Sequence, residues 1–441
     1  MSKVFSKTES LCPTCFKKID ATIVVRGQSY IMKKTCPTHG DFETTVWKGS
    51  IPMENWKLTK ERANIKKPLT QVQNGCPYDC GLCPQHRQHT CTALIEITQR
   101  CNLNCRFCFA DAKNGGKEPS LEEIGALYKG VLDASGACNI QLSGGEPTLR
   151  DDLPQIIKLG KDLGFGFIQV NTNGIRLAQE EGFAEKLKLS GLDSIYLQFD
   201  GTDDLIYYEL RGAKLLDLKI KAIENCEKVG IGVVLVPTLV PGVNIGNIGE
   251  IIEFALRHIN AVSGVHFQPV SYFGRVPHPP RDEDRITLPE LMDEIEKQTK
   301  GKIKADSLRP PQCENSFCSF HGRYLLQGNG ELSALRTAPD CCSKKAEECS
   351  KKAKIYVAKN WAARRQAAQS ETATADSWDK IINIIKSSTF NLSAMAFQDV
   401  WNLDLARVMD CCIHVVSPEG KLIPFCLYNI TDAQGHALYR K

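Results

Sequence analysis

Seven cysteines fall between Cys76 and Cys108, in "CPYDCGLCPQHRQHTCTALIEITQRCNLNCRFC", and no other stretch of the chain restricts its folding as much. The spacing C-x3-C-x2-C occurs twice within it, as Cys76, Cys80, Cys83 and as Cys101, Cys105, Cys108. Thiols this close emerge from one tight loop and converge on one ion or cluster. The chain has 20 cysteines in 441 residues. In a secreted protein that would mean disulfides, and in a cytosolic one clustered cysteines bind metal. The start, "MSKVFSKTES", lacks the apolar core of a signal peptide. The longest apolar runs, such as Ile231–Val240, are too short to span a bilayer. The expectation is a cytoplasmic protein that is not integral to a membrane. A net charge of +4 does not call for nucleic acid.

The chain divides into four stretches. Residues 1–55 carry "LCPTC" (Cys12, Cys15) and "TCPTHG" (Cys36, His39), joined by a hairpin-like "ATIVVRGQSYIMKK". Two ligand pairs across a hairpin are the plan of a zinc ribbon or rubredoxin-like knuckle, holding mononuclear Zn or Fe. Residues 56–91 are a linker and a cysteine-rich segment. From 92 to 270, strand-like runs at 92–98, 138–143, 165–173, 192–200, 231–239 and 264–270 alternate with helix-like stretches. That alternation predicts a parallel sheet, as an α/β partial (β/α)6 barrel. Residues 271–441 form a less regular cysteine-rich region, within which the Ala- and Lys-rich segment 344–380 reads as an exposed helix. Isolated Cys138 and Cys226 read as small packed hydrophobes.

Three thiolates can hold a [4Fe–4S] cluster and leave one iron open, whereas four close it. Cys101, Cys105 and Cys108 follow directly on "ALIEIT", so they sit at the C-terminal end of a first strand, where α/β active sites form. After the next strand comes "LSGGEPTLR", whose Gly144 and Gly145 permit a close backbone approach. Its Glu146 can accept from an ammonium, and Pro147 sets the turn. Here the sequence resembles the radical S-adenosylmethionine (radical SAM) superfamily, with "CNLNCRFC", its Phe107 and GGEP matching the family pattern. The resemblance implies a SAM-binding [4Fe–4S] cluster on Cys101, Cys105 and Cys108, with Gly144–Pro147 contacting the methionyl group. It also implies SAM contacts from Asn171, Asn173, Asp200 and Thr238, and a carboxylate contact from Arg211. His266 and Gln268, alternating on the last strand, either point inward or belong to the core.

Cys76, Cys80 and Cys83 have Cys91 eight residues further on and no GGE loop after them. They read as a closed auxiliary [4Fe–4S] cluster, with a four-cysteine zinc site as the alternative. Over almost the whole chain, "GCPYDCGLCPQHRQHTC", "CENSFCSFHG" and "CCIHVVSPEGKLIPFC" look like the subgroup of archaeal tetraether lipid synthases and bacterial TrsS proteins. Details such as "LVPTLVPGVN" are most similar to the TrsS group. Cys313, Cys318, Cys411 and Cys426 form a candidate second auxiliary site, the last two brought together by a hairpin around Pro418-Glu419-Gly420. Cys412 competes with Cys411, because neighbours on a strand face opposite sides. Cys341, Cys342 and Cys349 have no assigned role.

The expected activity is reductive cleavage of SAM to a 5′-deoxyadenosyl radical, which takes hydrogen from an unactivated carbon of an unknown substrate. An electron donor such as flavodoxin or ferredoxin is implied. A radical SAM methylase or sulfur-inserting enzyme is the rival within the superfamily. An iron–sulfur electron carrier is the rival outside it, and GGEP argues against that one.

Overall fold

Along the central strands one face is apolar and the other polar, and this pattern sets the architecture. Ile140, Leu142, Ile168, Val170, Ile195 and Leu197 are all buried in the main core. The alternate residues Gln141, Ser143, Gln169, Asn171, Tyr196 and Gln198 line a cavity. Alternating side chains point to opposite faces of a sheet. The apolar face therefore packs outward under helices, each buried aliphatic side chain contributing about 2 kcal/mol. The polar face is left to line the interior.

The structure is a computed structural model. It describes residues 3–440 apart from 66, 113–114, 116–117, 336–345 and 363–387. Cys341 and Cys342 lie outside the described residues. Strands β1 (Lys3–Leu11), β2 (Lys18–Arg26), β3 (Ser29–Cys36) and β4 (Gly40–Lys48) form an antiparallel meander. The expected hairpin is β2–β3, turning at Gly27-Gln28. Its sheet is fastened to the rest of the chain by buried Lys34, whose Nζ donates to Ser10 Oγ, Leu11 O and the distant Val400 O. Trp47 packs edge-on against Phe317.

Strands β5 (Thr92–Thr98), β6 (Asn139–Gly144), β7 (Ile168–Thr172), β8 (Ser194–Gln198) and β9 (Gly232–Val236) are parallel neighbours in that order. Short β10 (Thr238–Leu239) pairs with β11 (Val262–Pro269), which also follows β9 in parallel. Helices on the outside have ordinary start signals: Leu121–Ser135 begins with a capping box of Ser120 and Glu123. These six principal strands, β5 to β9 and β11, are the partial (β/α)6 barrel.

The C-terminal region extends both edges of this sheet. On one side β14 (Thr389–Met395) runs parallel to β11, and β12 (Ser319–Leu326) and β13 (Leu332–Ala334) follow antiparallel. On the other side β15 (Ile413–Val416) runs parallel to β5 and turns back into β16 (Leu422–Pro424). The helix Ala346–Trp361 lies on the barrel, contrary to the exposed placement expected from its lysines. Its Trp361 packs with Phe167, Val234 and Val236, and Cys349, Ala353 and Tyr356 face the cavity. Among the described residues no helix is long and apolar enough to cross a membrane.

Candidate active site

The loop after β5 carries Cys101, Cys105 and Cys108, and three separate elements hold it. The first is GGEP. Gly145 N donates to Thr98 O at 2.8 Å and Glu146 N to Arg100 O at 2.7 Å. A Cβ on Gly144 would lie 2.0 Å from Thr98 O, and one on Gly145 would lie 2.1 Å from Arg100 O. The two glycines thus serve contact with the cysteine loop itself. The second element is Gly274-Arg275. Cys108 and Arg275 exchange backbone hydrogen bonds of 3.0 and 2.9 Å, and Arg275 Nε donates to Cys105 O at 3.0 Å. The third is Leu210-Arg211, whose partners are Arg106 N and Phe107 O. Sequence reasoning missed Gly274 and Arg275, since "FGR" has no local signature.

Glu146 is buried and its carboxylate is half used. Oε1 accepts from Thr148 N, Thr148 Oγ1 and Thr172 Oγ1, while Oε2 accepts only from Asn173 N among the described residues. That leaves Oε2 an acceptor site on the cavity wall, the arrangement an ammonium group needs. Pro147 begins the short turn that presents it. Asn173 is tied to Asn102 through its amide at 2.7 Å.

Asp200 is placed differently from the sequence expectation. It is fully buried and does not reach the cavity. Both its oxygens bind Arg211 at 2.7 Å, and Oδ1 also accepts from Thr238 N. Burial opposes the Arg211 charge, but the Asp200 carboxylate outweighs it and keeps the guanidinium protonated. Arg211 and Thr238, not Asp200, line the cavity. Burial pushes the Cys101 thiol up to about 11, with Glu146 and the two other cysteines adding to the shift. The Cys101 thiol therefore needs a cationic centre to become a thiolate, as metal binding provides.

Of the other cysteines, the N-terminal set groups as expected and the rest do not. Cys12, Cys15, Cys36 and His39 present ligand atoms all within 4.8 Å of one another, the fit of one tetrahedral ion. Burial disfavours the Cys36 thiolate, but the Thr38 and His39 amides and the His39 ring bring its thiol down to about 6. Cys91 leaves the first triplet. Its Sγ is 2.8 Å from Cys412 Sγ, and it groups with Cys412 and Cys313 within 4.8 Å. Cys76, Cys80 and Cys83 stay near one another, beside Tyr439, whose hydroxyl accepts from Cys80 N. Cys318, Cys411 and Cys426 interact electrostatically, and Arg407 Nη2 donates to Cys318 Sγ at 3.5 Å. The expected set of Cys313, Cys318, Cys411 and Cys426 is therefore divided between two groups.

One cavity of about 1240 Å³ joins two of these groups. Cys101, Cys105, Cys108 and Gly144–Glu146 lie in its wall, as do Cys91, Cys313 and Cys412. Its volume exceeds the range usual for a single small ligand, about 300–1,000 Å³.

Residues 95–255 match the profile of the radical SAM superfamily. Residues 4–48 match that of the HMPTM N-terminal zinc ribbon domain. A 7,8-dihydro-6-hydroxymethylpterin dimethyltransferase of Methanocaldococcus jannaschii is 38% identical, over 97% of this chain and 94% of its own. A probable GTP 3′,8-cyclase of Methanococcus maripaludis is 31% identical, over 54% of this chain and 82% of its own. Among solved structures, SuiB of Streptococcus suis bound to S-adenosylmethionine is 18% identical, with a TM-score of 0.40 over 49% of this chain and 48% of that one. The superfamily resemblance thus stands. The finer likeness to the TrsS group is corrected, because the relative matched along the whole chain is a pterin dimethyltransferase.

Proposed function

The chain belongs to the radical SAM superfamily, and from that premise we propose that it methylates a carbon of a pterin-type substrate. It is an enzyme whose cofactors are SAM and a [4Fe–4S] cluster, accompanied by further cysteine groups and a zinc-ribbon unit. The observation that carries the reading is the shared cavity, large enough for SAM and a second molecule side by side. The substrate class follows the relative that matches along the whole chain.

When bound, the cluster and SAM supply a radical that removes hydrogen from an unactivated C–H. Cys101, Cys105 and Cys108 hold the cluster in this reading. Glu146 Oε2 accepts from the methionyl ammonium, and Arg211, kept charged by Asp200, faces the carboxylate. Phe107, edge-on to Tyr272, shields the cluster from water. Overall, the substrate C–H becomes C–CH3 at the expense of two SAM molecules and two electrons: one SAM ends as methionine and the 5′-deoxyadenosine that carries off the hydrogen, and the other gives up its methyl and leaves as S-adenosylhomocysteine. Cys91, Cys313 and Cys412 lie where an auxiliary centre would face the substrate. Cys76, Cys80 and Cys83, and separately Cys318, Cys411 and Cys426, are candidates for clusters outside the cavity. A flavodoxin or ferredoxin supplies the electron, in the cytoplasm.

The test is product analysis. Reduced, reconstituted enzyme with methyl-labelled SAM and 7,8-dihydro-6-hydroxymethylpterin should give 5′-deoxyadenosine and a pterin heavier by one or two methyl groups. An unchanged pterin would remove the substrate assignment. A pterin that loses hydrogen and gains no methyl would return the enzyme to hydrogen abstraction alone.

A further inference from the structure

The inner face does not stop at the sixth barrel strand. His266 and Gln268 of β11 line the cavity, and two further strands carry the same face onward. His266 stands beside Ser393 of β14, which stands beside His321 of β12. His266 Nδ1 and Ser393 Oγ are 2.8 Å apart. His321 in turn exchanges backbone hydrogen bonds of 2.9 and 3.0 Å with Arg309. Residues directly opposite on paired strands share a face, and so do residues two apart on one strand. Arg309, His321 and Arg323 therefore form one polar corner, and all three line the cavity.

This corner is cationic, and no carboxylate among the described residues balances it. Arg309 Nη1 donates only to carbonyl oxygens, those of Asp306 and Leu308. Arg323 is half-buried and forms no ion pair or side-chain hydrogen bond among the described residues. Its Nε is sealed off, so the Nη pair is the part open to the cavity. The cavity-lining carboxylates among the described residues are Glu146 and Glu314. Glu146 belongs to GGEP. Glu314 accepts from Ser319 Oγ at 2.6 Å and lies 3.8 Å from Cys412 Sγ. Burial and the charges of both arginines hold His321 down to about 4, so both guanidiniums act on one ring. Tyr356 of the helix Ala346–Trp361 lies edge-on to that ring at 5.6 Å. A guanidinium partly withdrawn from water without a counter-charge is costly, and a bound oxyanion offsets that cost.

We propose that Arg309 and Arg323 form a subsite for an anionic group, a phosphate ester or a carboxylate, carried by the second molecule in the cavity. The planar guanidinium fork matches either oxyanion. Neutral His321 and Tyr356 wall the subsite without bringing a charge of their own. SAM is not the source of the anion. Its carboxylate faces Arg211 in the reading above, and Glu146 follows β6, six places from β12 in the sheet. The inference deepens the pterin reading and rests on it only for the choice of probe. It makes the substrate a heterocycle bearing an acidic group, rather than a neutral hydroxymethylpterin.

The test measures equilibrium binding to the holoenzyme of SAM, 7,8-dihydro-6-hydroxymethylpterin, its phosphate ester and the corresponding 6-carboxylate. In the parent, one of the acidic forms should bind about tenfold or more tighter than the neutral alcohol, the scale of a charge-assisted hydrogen bond. Which acidic form it is identifies the source of the anion. Arg323→Gln should remove most of that preference and Arg309→Gln part of it. Arg323→Lys, which keeps the charge but not the fork, should retain part. SAM affinity and bound iron should stay at the parent level throughout, which separates a lost subsite from a lost fold. If Arg323→Gln fails to load iron, Arg309→Gln at the exposed edge reads the same subsite. A parent that binds neutral and acidic pterins alike would overturn the inference and leave the pterin reading standing. A preference undiminished in both glutamine variants would overturn it as well. Guanosine and guanosine 5′-monophosphate serve as a second pair. An arginine-dependent preference for the nucleotide, with no pterin bound in any form, would support the inference and remove the pterin reading. Binding of no acidic probe would overturn the inference.

Discussion

Glu146 shows how much of the site rests on single atoms. Oε1 is consumed by Thr148 and Thr172, and these bonds aim Oε2 at the cavity. Glu146→Gln keeps the size and an acceptor but loses the charge. SAM binding should weaken about ten- to hundredfold, the scale of a hydrogen bond to a charged group. Iron bound at the cysteine triplet should stay at the parent level, as iron analysis would report. If SAM affinity were unchanged, another carboxylate would be holding the ammonium. His266 carries a pH prediction. Its folded value of about 4 lies below the unfolded value of about 6.5. Below pH 6.5 the unfolded chain therefore binds more protons. This contribution to stability is whole above about 6.5 and falls as pH drops towards 4. The melting temperature of His266→Gln should fall less than that of the parent between pH 6.5 and 4.5. Parallel falls would mean that His266 is not held neutral.

The elements differ in how legible they were. The barrel strands were readable because each is a short run carrying buried apolar residues and, β5 apart, follows a helix, and the observed strands β5 to β9 and β11 match the expected ones within a few residues. The cysteine groups were not readable, because they depend on which strand edges meet. Cys411 and Cys412 face opposite ways, as adjacent residues do, and each joins a different group. Cys313 and Cys318 divide in the same manner, so a pairing by sequence distance mixed two sites. The lysines of the helix Ala346–Trp361 hid its buried face, since only the residues at helical spacing touch the barrel. Arg275 shows the same limit: a residue after β11 clamps a loop after β5. Arg275→Ala removes donors to Cys105 O and Ala112 O. It should lower iron retention at the triplet and slow 5′-deoxyadenosine formation at least about tenfold. Parent rates would show that GGEP alone suffices to hold the loop.

At the scale of the molecule, the C-terminal region is part of the barrel. It adds strands to both edges of the sheet and contributes Cys313 and Cys412 to the cavity. The ribbon is tied to this region by Lys34 and Val400, so its metal should stabilise more than residues 4–48. Removing that ion with a chelator, or with Cys12→Ala and Cys36→Ala together, should lower the melting temperature of the whole chain, because metal binding is linked to folding. An unchanged transition would make the ribbon an independent appendage. The central claim is that only one of the two C-x3-C-x2-C triplets meets SAM, and EPR of the reduced protein with and without SAM tests it most directly. With Cys76, Cys80 and Cys83 changed to Ala, the SAM-induced change in the spectrum should survive. With Cys101, Cys105 and Cys108 changed to Ala, it should vanish while other cluster signals remain. A SAM response lost only in the first variant would exchange the two roles and contradict the account.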